Sequence, residues 1–219
     1  MESPKIHIYL VPGLAASTQI FEHIHLDANR FQLHYLDWLV PESKKEPLEH
    51  YVERMCTRIR EPDPVLIGVS FGGIVVQEMS KKIATKKTII ISSIKSNKEL
   101  PIRLKLARFT GAYKLFPVKV FINIENFSKF AVGKTLKHRI KLYEKYLSMR
   151  DTYYMPWAIY NVLHWKPTVT LTDVVHIHGN NDFVFPIRHI KDCEIVKGGT
   201  HVMIINKANY LSSILEKII

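Results

Sequence analysis

The chain has 219 residues, 47% of them hydrophobic and 23% charged, which suits one folded domain and argues against a disordered or low-complexity chain. Its two cysteines, Cys56 and Cys193, stand far apart without Cys/His clustering, which argues against a disulfide framework or a zinc site and leaves both as small core residues. The net charge of +11 is unevenly placed: residues 95–166 carry 15 Lys/Arg against 4 Asp/Glu, whereas the rest of the chain carries 16 of each.

Taken in order, short β-rich runs alternate with helical patterns. Strands are expected over residues 5–11, 32–37, 64–69, 87–92, 173–178 and 193–197. Several are unbroken runs of Val, Ile and Leu, as in parallel strands covered on both faces. Helices are expected over 48–60, 71–84, 188–191 (short) and 208–217, which implies βαβ units with right-handed crossovers. Residues 95–166 break this rhythm. Ile102, Leu106, Phe109, Tyr113 and Phe116 recur at spacings of four and three, as do Leu136, Ile140, Tyr143 and Leu147. These stripes predict amphipathic helices with the apolar side turned to packing. No apolar segment approaches the ~20 residues of a membrane span, and no charged start leads into a long apolar run. The expectation is a soluble cytoplasmic protein without a transmembrane segment.

The chemistry concentrates at Gly68-Val69-Ser70-Phe71-Gly72, a G-x-S-x-G with a strand before and a helix after. A serine on such a turn has a strained backbone and crowded neighbours; glycines on either side remove the side chains that would clash. The turn exposes Oγ, and the following helix points its N-terminal N–H groups at developing negative charge. A serine hydroxyl needs a general base. His201, in the Gly198-Gly199-Thr200-His201 turn between the last strand and the last helix, is the best placed. His176 and His178, on a strand, and His164, on a helical stretch, are weaker candidates. The base needs a carboxylate to hold its tautomer. Asp182 follows the fifth strand in His178-Gly179-Asn180-Asn181-Asp182, whereas its rival Asp173 precedes that strand, at the wrong end of a parallel sheet.

The order Ser70, Asp182, His201 and the motifs around them resemble the α/β-hydrolase superfamily over nearly the whole chain. The resemblance implies a three-layer α/β/α fold of about six parallel strands in the order 2-1-3-4-5-6. A helical lid, residues 95–166, would be inserted into a core made of 1–94 and 167–219, the whole forming one domain. The strand order then reverses beside Ser70, where α/β folds bind ligands. Val11-Pro12-Gly13-Leu14 is similar to the family's oxyanion loop, with Pro12 in place of a common His. By resemblance, the backbone N–H groups of Leu14 and Phe71 form the oxyanion hole.

The function implied is hydrolysis of a carboxylic ester or thioester through an acyl-enzyme on Ser70, with no cofactor and no metal. The basic segment suggests an anionic or carrier-bound acyl substrate, or peripheral contact with a charged membrane, with Arg103, Arg108 and Arg139 as substrate-binding residues. A merely solvated helical face explains the same charge. A non-catalytic anion- or carrier-binding module on the same scaffold is the alternative. Nucleic-acid binding has no motif behind it beyond the sequence pI of 9.6.

Overall fold

A computed structural model describes residues 4–115, 145–149, 151–169 and 171–219. Six parallel strands form one sheet: β1 Ile6–Val11, β2 Phe31–Tyr35, β3 Val65–Val69, β4 Lys87–Ile91, β5 Val174–Gly179 and β6 Glu194–Val196. Their order is β2-β1-β3-β4-β5-β6, with β3 and β4 at the centre. This is the order read from the sequence, and each strand lies within a residue or two of its expected bounds.

Successive side chains of a strand point to opposite faces, so a strand apolar throughout needs a cover on both sides. All five residues of β3 are buried. One face carries Tyr9, Val11, Leu66 and Ile90 against α1 (Leu48–Cys56), α2 (Phe71–Met79) and a further helix over Tyr154–His164. The other carries Ile8, Leu10, Ile67 and Ile177 against the helices Met203–Asn206 and Ala208–Ile218. The result is three layers with a core on each side of the sheet.

In chain order the helices are then α1, α2, α3 (Ile102–Thr110), α4 (Tyr154–His164), α5 (Met203–Asn206) and α6 (Ala208–Ile218) among the described residues. α1 and α2 end earlier than their apolar patterns. Beyond Cys56 the bonds tighten from Arg58 N to Met55 O and from Ile59 N to Cys56 O, and beyond Met79 the bonds from Lys81 N to Glu78 O and from Lys82 N to Met79 O do the same. Such i→i+3 turns close helix ends. The expected short helix at 188–191 is a single 3₁₀ turn, Ile187–His189.

The stripe on α3 requires a correction. Ile102 and Phe109 are 74% and 89% exposed and Leu106 is also exposed; the inward side carries Leu104, Ala107 and Arg108 instead. α3 offers two apolar rows, and the short Leu104/Ala107 row is the one that fits beneath it, with Arg108 Nη1 donating to the C-terminal carbonyl of Leu163 in α4 at 3.3 Å. Phe116, Leu136, Ile140, Tyr143 and Arg139 lie outside the described residues. Among the described residues, no helix is long and apolar enough to cross a membrane.

Candidate active site

β3 delivers Ser70 from its C-terminal end, and α2 starts at the next residue. Ser70 has φ 53° and ψ −115°, a conformation that L residues avoid. The surroundings hold it there. Its N–H donates to Ile91 O at 2.9 Å, and its carbonyl accepts from Gly73 N at 2.9 Å and from the Ser93 hydroxyl at 2.6 Å. The flanking glycines are matters of space. A Cβ on Gly72 would lie 2.3 Å from Pro12 O and 2.4 Å from Val11 O. The turn is therefore pressed against the loop after β1, and this brings that loop to the serine.

A Cβ on Gly68 would lie 2.2 Å from Gly72 O and 2.6 Å from Gly73 N, both backbone atoms that cannot step aside singly. Gly68→Ala should therefore cost about 3 kcal/mol or more, at or beyond the upper end of ordinary overpacking. Urea unfolding of the variant checks this, with a midpoint close to that of the wild type as the contrary result.

His201 sits in the turn between β6 and α5. Its Nε2 is 3.0 Å from Ser70 Oγ and its Nδ1 is 2.8 Å from Asp182 Oδ2. Asp182 is buried in the loop after β5, and its other oxygen accepts from Val184 N at 2.7 Å and Phe185 N at 2.9 Å. Burial alone would raise the Asp182 carboxyl; the hydrogen bond and charge of His201, the Phe185 N–H and His178 outweigh it and hold the group below its ordinary value. An ionised Asp182 fixes Nδ1 of His201 as the protonated nitrogen, which leaves Nε2 to accept the Ser70 proton.

The structure thus brings Ser70, His201 and Asp182 into one hydrogen-bonded line. Leu14 N donates no backbone hydrogen bond among the described residues, and Phe71 N opens α2, where no intrahelical acceptor exists. The Leu14 loop is pinned by the buried Trp38, whose Nε1 donates to Gly13 O at 2.9 Å and whose ring stacks on Phe71 at 5.3 Å.

Ser70 and His201 open into a cavity of about 840 Å³. Leu104, Leu147, Met155, Ile159 and Val162 give it apolar walls, and no Asp, Glu, Lys or Arg is among its described lining residues. Arg103 and Arg108 lie outside it. Arg103 Nη2 donates to the carbonyls of Phe183 and Val184, so it braces the loop that carries Asp182.

Sequence reasoning missed three supports. Ser93 and Trp38 carried no motif signal. His178 was weighed only as a base; it is fully buried, with Nε2 2.8 Å from Phe185 O and 3.6 Å from Asp182 Oδ2. The cue for it was a histidine directly before the acid loop.

No protein-family model matches the sequence, and no curated protein matches it. Solved structures do match. A thermophilic esterase from Thermogutta terrifontis shares 13% identity at a TM-score of 0.69, over 98% of this chain and 89% of that one. An epoxide hydrolase from Bacillus megaterium shares 13% at 0.67, over 97% and 92%. MenH from S. aureus shares 12% at 0.63, over 97% and 93%. The chain has the α/β-hydrolase fold.

Proposed function

We propose that the protein is a serine hydrolase that cleaves a carboxylic ester or thioester with an apolar acyl group. The observation that carries this reading is the Asp182–His201–Ser70 line, with contacts of 2.8 and 3.0 Å, opening on an apolar cavity. Ser70 Oγ attacks the acyl carbon while His201 Nε2 takes its proton, and the Leu14 and Phe71 N–H groups receive the oxyanion. His201 then passes the proton to the leaving alcohol or thiol, giving an acyl-Ser70. Water attacks this ester, with its proton going to His201 and then back to Ser70 Oγ as the acid departs. A strained, buttressed serine costs stability, and a binding scaffold has no use for it.

Residues 95–166 serve as the lid in this reading, since Leu104, Leu147 and Met155 wall the cavity. The acyl chain lies among them. An anionic leaving group, free or on a carrier, would meet basic residues of the described part of this segment, such as Arg103 and Lys105, outside the cavity.

A series of p-nitrophenyl esters from acetate to laurate tests the substrate class, beside labelling by a fluorophosphonate. Burying each further methylene gains about 0.8 kcal/mol, so kcat/KM should rise roughly fourfold per carbon until the cavity is full. A series that falls from acetate onward would remove the apolar-acyl reading. Absence of Ser70 labelling would leave the fold as a non-catalytic binding scaffold. Acyl-CoA compared with a neutral thioester of the same acyl chain, at low and physiological salt, reads any attraction by the basic segment.

A further inference from the structure

A second cluster lies at the opposite end of the sheet, on the face that carries α1 and α2. His7 on β1 and His34 on β2 belong to adjacent parallel strands, and Glu61 lies in the loop that leads into β3. His7 is four residues upstream of Val11, so about 13 Å of strand separates it from the end that carries the serine turn.

The donor atoms converge. His7 Nδ1 and His34 Nε2 are 2.9 Å apart, and Glu61 Oε1 is 4.0 Å from His7 Nδ1. All three ligand atoms lie within 4.8 Å of one another. Two imidazole nitrogens at 2.9 Å must share either a proton or a cation, because two bare lone pairs repel. Glu61 Oε1 converges on the same point, so a cation there meets three donors where a shared proton joins only two nitrogens. Glu61 therefore offers Oε1 to the pair while its other oxygen, Oε2, is held by the Tyr9 hydroxyl. Tyr9 also stacks on His34, with ring centroids 4.5 Å apart. One side chain therefore braces two of the three donors, as the outer shell of a metal site does.

We propose that His7, His34 and Glu61 bind a divalent transition-metal ion of the zinc type, which ties the edge strand β2 to β1 and to the loop before β3. Tetrahedral zinc with bonds of 2.0–2.2 Å wants donors ~3.4 Å apart, and the observed 2.9 and 4.0 Å straddle that value. Shifts of about half an ångström or more in these partly exposed side chains bring the donors to that spacing, and solvent supplies the fourth ligand. Two imidazoles and one carboxylate suit zinc, not magnesium or calcium.

The other convergent cluster among the described residues, Glu42, Glu46 and His50, differs. Arg54 lies 3.3 Å from Glu46 Oε1 and 3.5 Å from Glu42 Oε1, so that negative charge is already met. It provides the control.

Zinc chloride titrated into the full chain by calorimetry should bind with one ion per chain and raise the melting temperature. His34→Gln and Glu61→Gln should each weaken zinc binding by more than the roughly 10–100-fold that loss of an outer-shell partner costs, whereas His50→Gln leaves it unchanged. Cobalt in the wild type should show the visible bands of a tetrahedral N₂O₂ site, with solvent as the fourth ligand, a readout that needs no variant. Fluorophosphonate labelling of Ser70 should survive chelation, because the two sites are remote. Affinities of both variants within about threefold of the wild type would overturn the proposal. So would wild-type protein that takes up no zinc at about 100 μM.

Discussion

Ser70→Ala is expected to lose on the order of 10⁴-fold or more in ester hydrolysis while its unfolding curve stays close to that of the wild type. The serine side chain is half-buried where it lines the cavity, and its hydroxyl meets His201 Nε2 at 3.0 Å. The bonds that hold the turn are made by Ser70 backbone atoms, which alanine keeps. Chemistry and folding should therefore separate. His201→Ala should match the Ser70 defect, since nucleophile and base act as a unit. Asp182→Asn should be severe yet milder, because Asn keeps an acceptor for Val184 and Phe185 N–H but turns an amide NH₂ donor toward His201 Nδ1, which favours the wrong tautomer of His201. Single-turnover and steady-state kinetics on a p-nitrophenyl ester measure all three. Turnover by Ser70→Ala within about tenfold of wild type would end the assignment of Ser70 as nucleophile. Loss of activity in His178→Ala with none in His201→Ala would move the base to β5.

The sheet was legible because its residues answer to one rule. Apolar runs such as Val65–Val69 can be covered only on both faces, and glycines and polar residues mark their ends. The strained serine was legible for a related reason: a Cβ on Gly68 or Gly72 would lie 2.2 or 2.3 Å from a backbone oxygen, so only glycine fits, and sequence records that directly. The side of α3 that turns inward was not legible. Leu104 and Ala107 make a poorer stripe than Ile102, Leu106 and Phe109, yet they line the cavity, because tertiary space and not the strongest period decided the rotation. The contacts of the arginines were not legible either. Charge suggested a ligand for Arg103 and Arg108, whereas both donate to backbone carbonyls, Arg103 in the loop that carries Asp182 and Arg108 at the end of α4. Such contacts join residues 55 to 81 positions apart and leave no periodic trace. The His7, His34 and Glu61 cluster was hidden for the same reason, since only the pairing of β1 with β2 and the path of the loop before β3 make these residues neighbours.

Mild acid should destabilise the fold through β5, and the buried histidines there are the cause. His178 Nε2 donates to Phe185 O, so its Nδ1 is the acceptor for His176 Nε2–H at 3.1 Å. His176 Nδ1 is then a buried lone pair with no hydrogen-bond partner among the described residues. Protonating it would place a charge in the core beside His178. Burial first, then the charges of His178 and Lys95, push His176 down from 6.5 to about 3. Burial lowers His178 as well. A depressed histidine contributes its full stability above the unfolded value near 6.5 and loses it as pH falls toward the folded value. In that window the unfolded chain binds a proton that the native chain refuses. The cost is somewhat over 1 kcal/mol per pH unit and on the order of 5 kcal/mol across the window, comparable with the whole stability of many domains. Urea unfolding at pH 7, 6 and 5 should show this slope in the wild type. His176→Gln, which keeps a donor for His178 Nδ1 and cannot titrate, should flatten it by about one proton's worth. Histidine-labelled NMR gives the direct reading: the His176 imidazole should remain neutral at pH 5, while titration near its ordinary 6.5 would show that its burial does not exclude the charge.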